Sequence, residues 1–192
     1  MSHVIFIENE EQRLVKRLQE GDKSAAREFY ARYADSLAGV CARYIANAED
    51  MKDVFQNALV HIFSNIAGFE YRREGSLEAW AKRVVVNESL KFLRGKGLHK
   101  VQQLDCDMID EVEEDILAVN DIPPDVIQKM LNRLPTGYRT VLNLYVFEGK
   151  SHQEIASLLG IGKDSSASQL LRARSMLIKM IKKYNNDRRQ WR

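Results

Sequence analysis

The sequence predicts an all-α fold, with two small helical domains joined by a flexible acidic linker and a helix-turn-helix in the second domain. Three observations carry this expectation. Apolar residues recur at spacings of three and four along most of the chain, and the alternation typical of strands is scarce. Charge is unevenly distributed. Residues 1–95 balance, residues 96–125 carry two lysines against nine acids for −7, and residues 126–192 carry +9. Finally, Gly95, Gly97 and Pro123-Pro124 punctuate the chain at both ends of the acidic stretch.

The elements follow in order. Leu14, Val15 and Leu18 form a short apolar stripe closed by Gly21-Asp22. A second helix is expected from about Ser24 to Ile45, with Phe29, Tyr33, Leu37, Val40 and Tyr44 on one face. A third covers about Ala48–Ile66, and the polar loop Gly68–Gly75 separates it from a fourth, about Ser76–Arg94. Residues 100–121 show no clean period and read as linker, with room for a short helical piece. As flexible coil it spans roughly 30 Å. Beyond it, helices are expected at Val126–Leu134, stopped by Pro135, and at Gly137–Glu148, stopped by Gly149. Ser151–Leu159 opens with the capping-box spacing of Ser151 and Glu154. A Gly160-Ile161-Gly162 turn then leads into a last helix from Lys163 into the 180s.

Composition excludes several classes. With 45% hydrophobic and 29% charged residues the chain is ordinary globular material. No apolar run is long enough to span a bilayer, and the start lacks signal-peptide features, so no direct membrane insertion is expected. Cys41 and Cys106 give neither a disulfide framework nor a metal pair, which fits a cytoplasmic protein with reduced thiols. His3, His61, His99 and His152 form no metal-ligand spacing, and there is no Gly-rich phosphate loop. The expectation is therefore no metal, no cofactor, no small-molecule substrate and no catalytic residue.

The remaining signals point to nucleic acid. A capped helix, a glycine turn and a second amphipathic helix make a helix-turn-helix, whose second helix enters the major groove. Ile155, Ala156 and Leu159 are expected to pack on Ala167, Leu170, the stem of Arg174, Leu177 and Ile178. Ser165, Ser168, Gln169 and Arg172 share the opposite face, with Lys163 at the start. Together with Ser166 and Arg174 they are the candidate DNA-reading set: Gln169 suits adenine, Arg172 suits guanine or a phosphate, and the hydroxyls suit backbone oxygens. In the first domain, Arg83, Asn87, Lys91 and Arg94 form one polar stripe on the fourth helix. The loop before it mixes two aromatics with Arg72, Arg73 and Ser76, a combination that can hold unstacked bases. Trp80 reads as a core residue.

The arrangement of these residues resembles a known family. Leu134-Pro135, Tyr138-Arg139, Glu148-Gly149, Ser151, Glu154-Ile155-Ala156, Leu159-Gly160-Ile161 and Arg172-Ala173-Arg174 occur in the order found in the minus-thirty-five binding domain of bacterial sigma factors. Asp53 with Gln56, and Ala79-Trp80 with Arg83 and Asn87, resemble the core-binding and minus-ten domain. Two domains and a linker alone resemble the extracytoplasmic-function (ECF) group. Gly162 departs from the Ser or Thr usual at its position, and Lys52 and Asn57 from the usual acids.

The resemblance implies sigma region 2 at residues 1–95, a linker at 96–125 and sigma region 4 at 126–192. It implies that Asp53 and Gln56 bind core RNA polymerase, that both domains bind promoter DNA, and that an anti-sigma factor covers these faces. A rival reading, a stand-alone helix-turn-helix regulator, accounts for residues 134–180 but gives the Asp53 to Arg94 constellation no task. Tight binding of a defined operator by the free protein distinguishes it.

The linker acids admit two readings, a solvated spacer or a strap folded onto the basic second domain. Neutralising the linker acids separates them in a binding titration of the free chain at low salt. The strap predicts tighter promoter binding, and the spacer predicts no change.

Overall fold

The computed structural model describes residues 9–97 and 122–189; residues 98–121 of the predicted acidic linker, with its helical piece, lie outside them, and Pro124 and Asp125, expected at its end, belong to the next helix. Among the described residues every regular element is helical. The chain divides into two compact units between Phe92 and Leu93, within the last turns of the fourth helix. No described helix is long and apolar enough to cross a membrane.

In the first unit, α1 (Glu10–Gln19), α2 (Lys23–Tyr44), α3 (Ala48–Asn65) and α4 (Ser76–Gly95) surround one core, with a single 3-10 turn at Ile66–Gly68. Each start has a local cause. Asn9 caps α1 through Gln12 N–H, Asp22 caps α2 through Ser24 N–H, and Asn47 caps α3 through Glu49 and Asp50 N–H. Hydrogen bonds from the Ser24 hydroxyl and amide, and then from Arg17, hold the Asp22 carboxyl down at about 2. Phe29, Leu37, Tyr44, Val54, Ile62, Leu77 and Val85 fill the interior, and Phe29 meets Phe63 edge-on at 5.5 Å. Two polar residues are buried with them: Ser89, and Glu11, 3% exposed, on the same face of α1 as Leu14, Val15 and Leu18.

In the second unit, α5 (Pro124–Arg133), α6 (Thr136–Val146), α7 (His152–Leu159) and α8 (Lys163–Arg189) form a helical cluster in which α8 packs across the other three. Pro124 opens α5, where its missing N–H costs nothing. The buried Arg139 guanidinium donates to Asn132 O at 3.1 Å and Leu134 O at 3.4 Å, meeting the carbonyl end of α5 across the Pro135 turn. The expected capping box is present: Ser151 Oγ accepts from Glu154 N–H while Glu154 accepts from Ser151 N–H. Gly160, at φ 66°, ends α7 in the left-handed region that glycine tolerates. Ile122, Met130 and Ile181 join α5 to the far half of α8.

Two outcomes follow. Ile155 is fully buried between helices, so Ile155→Ala is expected to destabilise the second unit by about 2–5 kcal/mol in denaturant melts of the full chain. Glu154 is held at about 2, below its ordinary 4.5, chiefly by the Ser151 N–H and then by Lys150. A depressed carboxyl contributes stability above its unfolded value, and that contribution disappears as pH falls toward about 2. Thermal melts between pH 5 and pH 2 should show Glu154→Gln lacking that part of the acid-induced loss.

Candidate nucleic-acid interface

α4 buries Leu77, Ala81, Val85, Val86 and Leu90 and turns Arg83, Asn87, Lys91 and Arg94 outward, all four exposed. At 1.5 Å per residue this row runs about 16 Å along the helix. At its start the loop between the 3-10 turn and α4 folds over to enclose a cleft of about 740 Å³. Phe69, Arg72, Arg73, Ser76, Trp80 and Arg83 line it. Four residues expected from the sequence to bind DNA therefore meet at one cavity, while Asn87, Lys91 and Arg94 lead away from it.

The cleft has two aromatic walls. The Phe69 and Trp80 rings lie 5.1 Å apart and tilted by 41°, and both are only half-buried. Trp80, expected in the core, stands on the cleft wall because Ala81, the next residue, takes the inward position with no exposed area. Ser76 Oγ accepts from Arg72 N–H at 3.4 Å, tying the loop to the first turn of α4. Three guanidinium groups outnumber the two carboxylates, Glu70 and Glu74, so the cavity combines ring faces with net positive charge. That is the chemistry for an unstacked base and its phosphate.

Asp53 and Gln56 both stand exposed, one turn apart on the outer face of α3. Val60, 60% exposed, extends the same row by another turn. It was legible only as an apolar residue four positions from Gln56 on a polar face.

In the helix-turn-helix, Ile155, Ala156 and Leu159 are buried as expected and Leu170 and Leu177 of α8 face inward as expected, but Ser166 and Ala173 take the inward places predicted for Ala167 and Arg174. Ser166, Leu170 and Ala173 face inward, while Ala167 and Arg174 are exposed. Small side chains at 166 and 173 allow α8 to approach its neighbours closely, and the Ser166 hydroxyl is satisfied 3.0 Å from His152 Nδ1. Apolarity alone credits the wrong residues at these two positions. Ser166, assigned from the sequence to DNA, is thus a buried link between α7 and α8. His152 in turn stacks on Tyr145, with centroids 4.9 Å apart.

Lys163, Ser168 and Arg174 are exposed, and Ser165, Gln169 and Arg172 are half-buried along one flank. Arg172 donates to the Tyr138 hydroxyl at 3.3 Å. Ala167 and Leu171, the latter 47% exposed, complete the outward face and suit contact with a thymine methyl group.

A helical domain with an aromatic cleft of net positive charge and a second with a helix-turn-helix arrangement define a two-domain helical protein with two candidate nucleic-acid surfaces. Comparison with known proteins narrows this class. The family description "Sigma-70 region 2" matches residues 29–98 and "Sigma-70, region 4" matches residues 125–177, together well over half of the chain. The ECF RNA polymerase sigma-E factor of Haemophilus influenzae is 27% identical over 181 residues, 87% of this chain and 93% of that protein. The ECF RNA polymerase sigma factor SigW of Bacillus subtilis is 26% identical over 182 residues, 88% and 95% of the two chains. A solved structure of CnrH in complex with the cytosolic domain of CnrY aligns over 88% of this chain and 95% of that one, at 21% identity and a TM-score of 0.47. The chain belongs to the sigma-70 family, in its ECF group, and is a sigma factor that initiates transcription.

The inward place of Ser166 on α8 separates two kinds of variant. Ser166→Ala removes a buried hydrogen bond and should lower stability by about 1 kcal/mol, leaving the salt dependence of promoter binding unchanged. Lys163→Ala should leave the melting point in place and reduce the slope of log affinity against log salt by about one. Melting curves and salt titrations on the two proteins check both statements.

Proposed function

We propose that this sigma factor grips core RNA polymerase through the outer face of α3, reads the minus-thirty-five element with α8, and captures an unstacked base of the minus-ten element in the cleft beside α4. The cleft carries the reading: Arg72, Arg73, Ser76 and Arg83 converge there with the half-exposed rings of Phe69 and Trp80. A base enters such a cavity only after it leaves the duplex stack. An opened strand is then bound better than a closed one, and the promoter equilibrium moves toward melting by that difference in affinity. No bond is made or broken by the protein, which acts as a non-enzymatic specificity subunit.

Each site has a distinct task. Asp53 and Gln56, with Val60 beside them, form the polymerase-binding row. Arg83, Asn87, Lys91 and Arg94 follow the phosphates leading from the captured base. Lys163, Ser165, Ser168, Gln169, Arg172 and Arg174 contact the minus-thirty-five duplex, with the recognition helix held from beneath by Ser166. Residues 1–95 and 126–192 thus serve as regions 2 and 4, joined by the acidic segment 96–125. The protein works in the cytoplasm with core polymerase and promoter DNA. An anti-sigma factor would act by covering the α3 row or the α8 face.

Permanganate footprinting of the promoter-bound holoenzyme tests the central step. The variant Arg72→Ala with Arg73→Ala is expected to lose about tenfold or more of the reactivity of melted minus-ten thymines. Protection of the minus-thirty-five duplex should persist. Unchanged melting would remove the cleft from promoter opening.

A further inference from the structure

The loop that closes the cleft is held by a helix outside the matched family region. Region 2 similarity begins at residue 29, whereas α1 occupies Glu10–Gln19. Yet α1 reaches this loop at three points. Gln19 Nε2 donates to Phe69 O at 2.8 Å and to Ile66 O at 3.1 Å, fixing the loop's entry. Asn9, the cap of α1, donates through Nδ2 to the Tyr71 hydroxyl at the loop's middle. Glu11 accepts from Gly75 N–H at 2.8 Å and from Leu77 N–H at 2.9 Å, fixing its exit.

The Glu11 contacts are the strongest of the three. The first N–H groups of an α-helix have no partner within the helix, and its N-terminus carries partial positive charge. α4 receives this cap from a carboxylate more than sixty residues away in sequence. The residue is 3% exposed, so its carboxylate takes its hydrogen bonds from those donors in place of water. Gly75, at φ 82°, adopts the left-handed turn that aims its own N–H at the same group. Between these anchors lie Phe69, Arg72, Arg73 and Ser76, the loop side of the cleft.

We infer that α1 is the positioning element of the base-capture cleft, with Glu11 setting the angle at which the loop meets α4 and Gln19 setting the position of Phe69. Glu11 and Gln19 are positioning residues and touch no DNA. Their role is to preorganise the loop, so that binding an unstacked base does not also require ordering the chain that surrounds it. The inference rests on the reading of the cleft as the minus-ten site. In Glu11→Gln an amide N–H faces one of the two backbone N–H donors, and one charge-assisted bond is lost. In Gln19→Ala the Phe69 carbonyl loses the Gln19 amide, while Ile66 O keeps only the Phe69 N–H.

The test uses holoenzyme assembled from bacterial core RNA polymerase and the full chain, with single-stranded DNA 12-mers containing a randomised central hexamer. Sequence enrichment after selection is read together with affinity for the selected strand. Wild type is expected to enrich a motif. Both variants should bind that strand about tenfold more weakly, the scale of one charge-assisted hydrogen bond for Glu11→Gln and of one or two neutral ones for Gln19→Ala, and should lose the enrichment. Their affinity for core polymerase and for double-stranded minus-thirty-five DNA should match wild type, which a general loss of folding would not allow. Wild-type enrichment retained in both variants overturns the positioning role of α1. Absence of enrichment by wild type overturns the cleft reading itself. If Glu11→Gln melts below the assay temperature, Gln19→Ala, at the exposed end of α1, decides the matter.

Discussion

A carboxylate moved from water into a protein interior keeps its charge only where donors replace the water it has lost. Glu11 meets that requirement with two backbone N–H groups at the start of α4. The contact does more than satisfy Glu11. It joins the first helix of the domain to the last, encloses the intervening core, and settles where the loop from Phe69 to Ser76 must run. The Tyr33 hydroxyl lies beside the same group and is pushed up to about 12, first by burial and then by the Glu11 charge. The cleft between the loop and α4 is therefore a consequence of how one buried charge is satisfied.

The second unit is organised in a related way. Arg139 occupies the carbonyl end of α5, Ser166 joins His152 between α7 and α8, and Tyr138 receives Arg172 from α8. Each contact links a helix of the supporting frame to its neighbour, and together they fix the face that α8 presents. Tyr138 and Arg139 thus have structural work that explains their place in the sequence pattern without assigning either to DNA. The common design is a rigid apolar frame, a few buried polar ties, and exposed charges arranged on the resulting faces.

Local signals made most of the helices readable. The Gly21-Asp22 stop, the Ser151 and Glu154 capping-box spacing, and glycines at 149 and 160 mark their ends to within a residue or two, and the structure adds the Asn9 and Asn47 caps that apolar spacing does not record. The row Arg83, Asn87, Lys91 and Arg94 was legible because a polar stripe opposite Leu77, Ala81 and Val85 has one geometric meaning. The inward places of Ser166 and Ala173 on α8 were less legible, since both give a weak apolar signal and the buried hydroxyl depends on a histidine fourteen residues earlier. Trp80 was misplaced for the converse reason, a large apolar residue counted as core although it borders an open cleft. The role of α1 was invisible to periodicity, because the groups it holds are backbone amides and carbonyls that no side-chain pattern records. An acid in line with Leu14, Val15 and Leu18 was the trace it left.

The account stands on one claim, that this chain confers promoter recognition and opening on RNA polymerase. Run-off transcription addresses it most directly, with bacterial core polymerase, the purified chain and a pool of promoter fragments from the source genome. The account predicts discrete transcripts that vanish when the protein is omitted, with start sites sharing two elements at a fixed separation. Absence of transcripts, together with failure of the chain to co-elute with core polymerase, would contradict it.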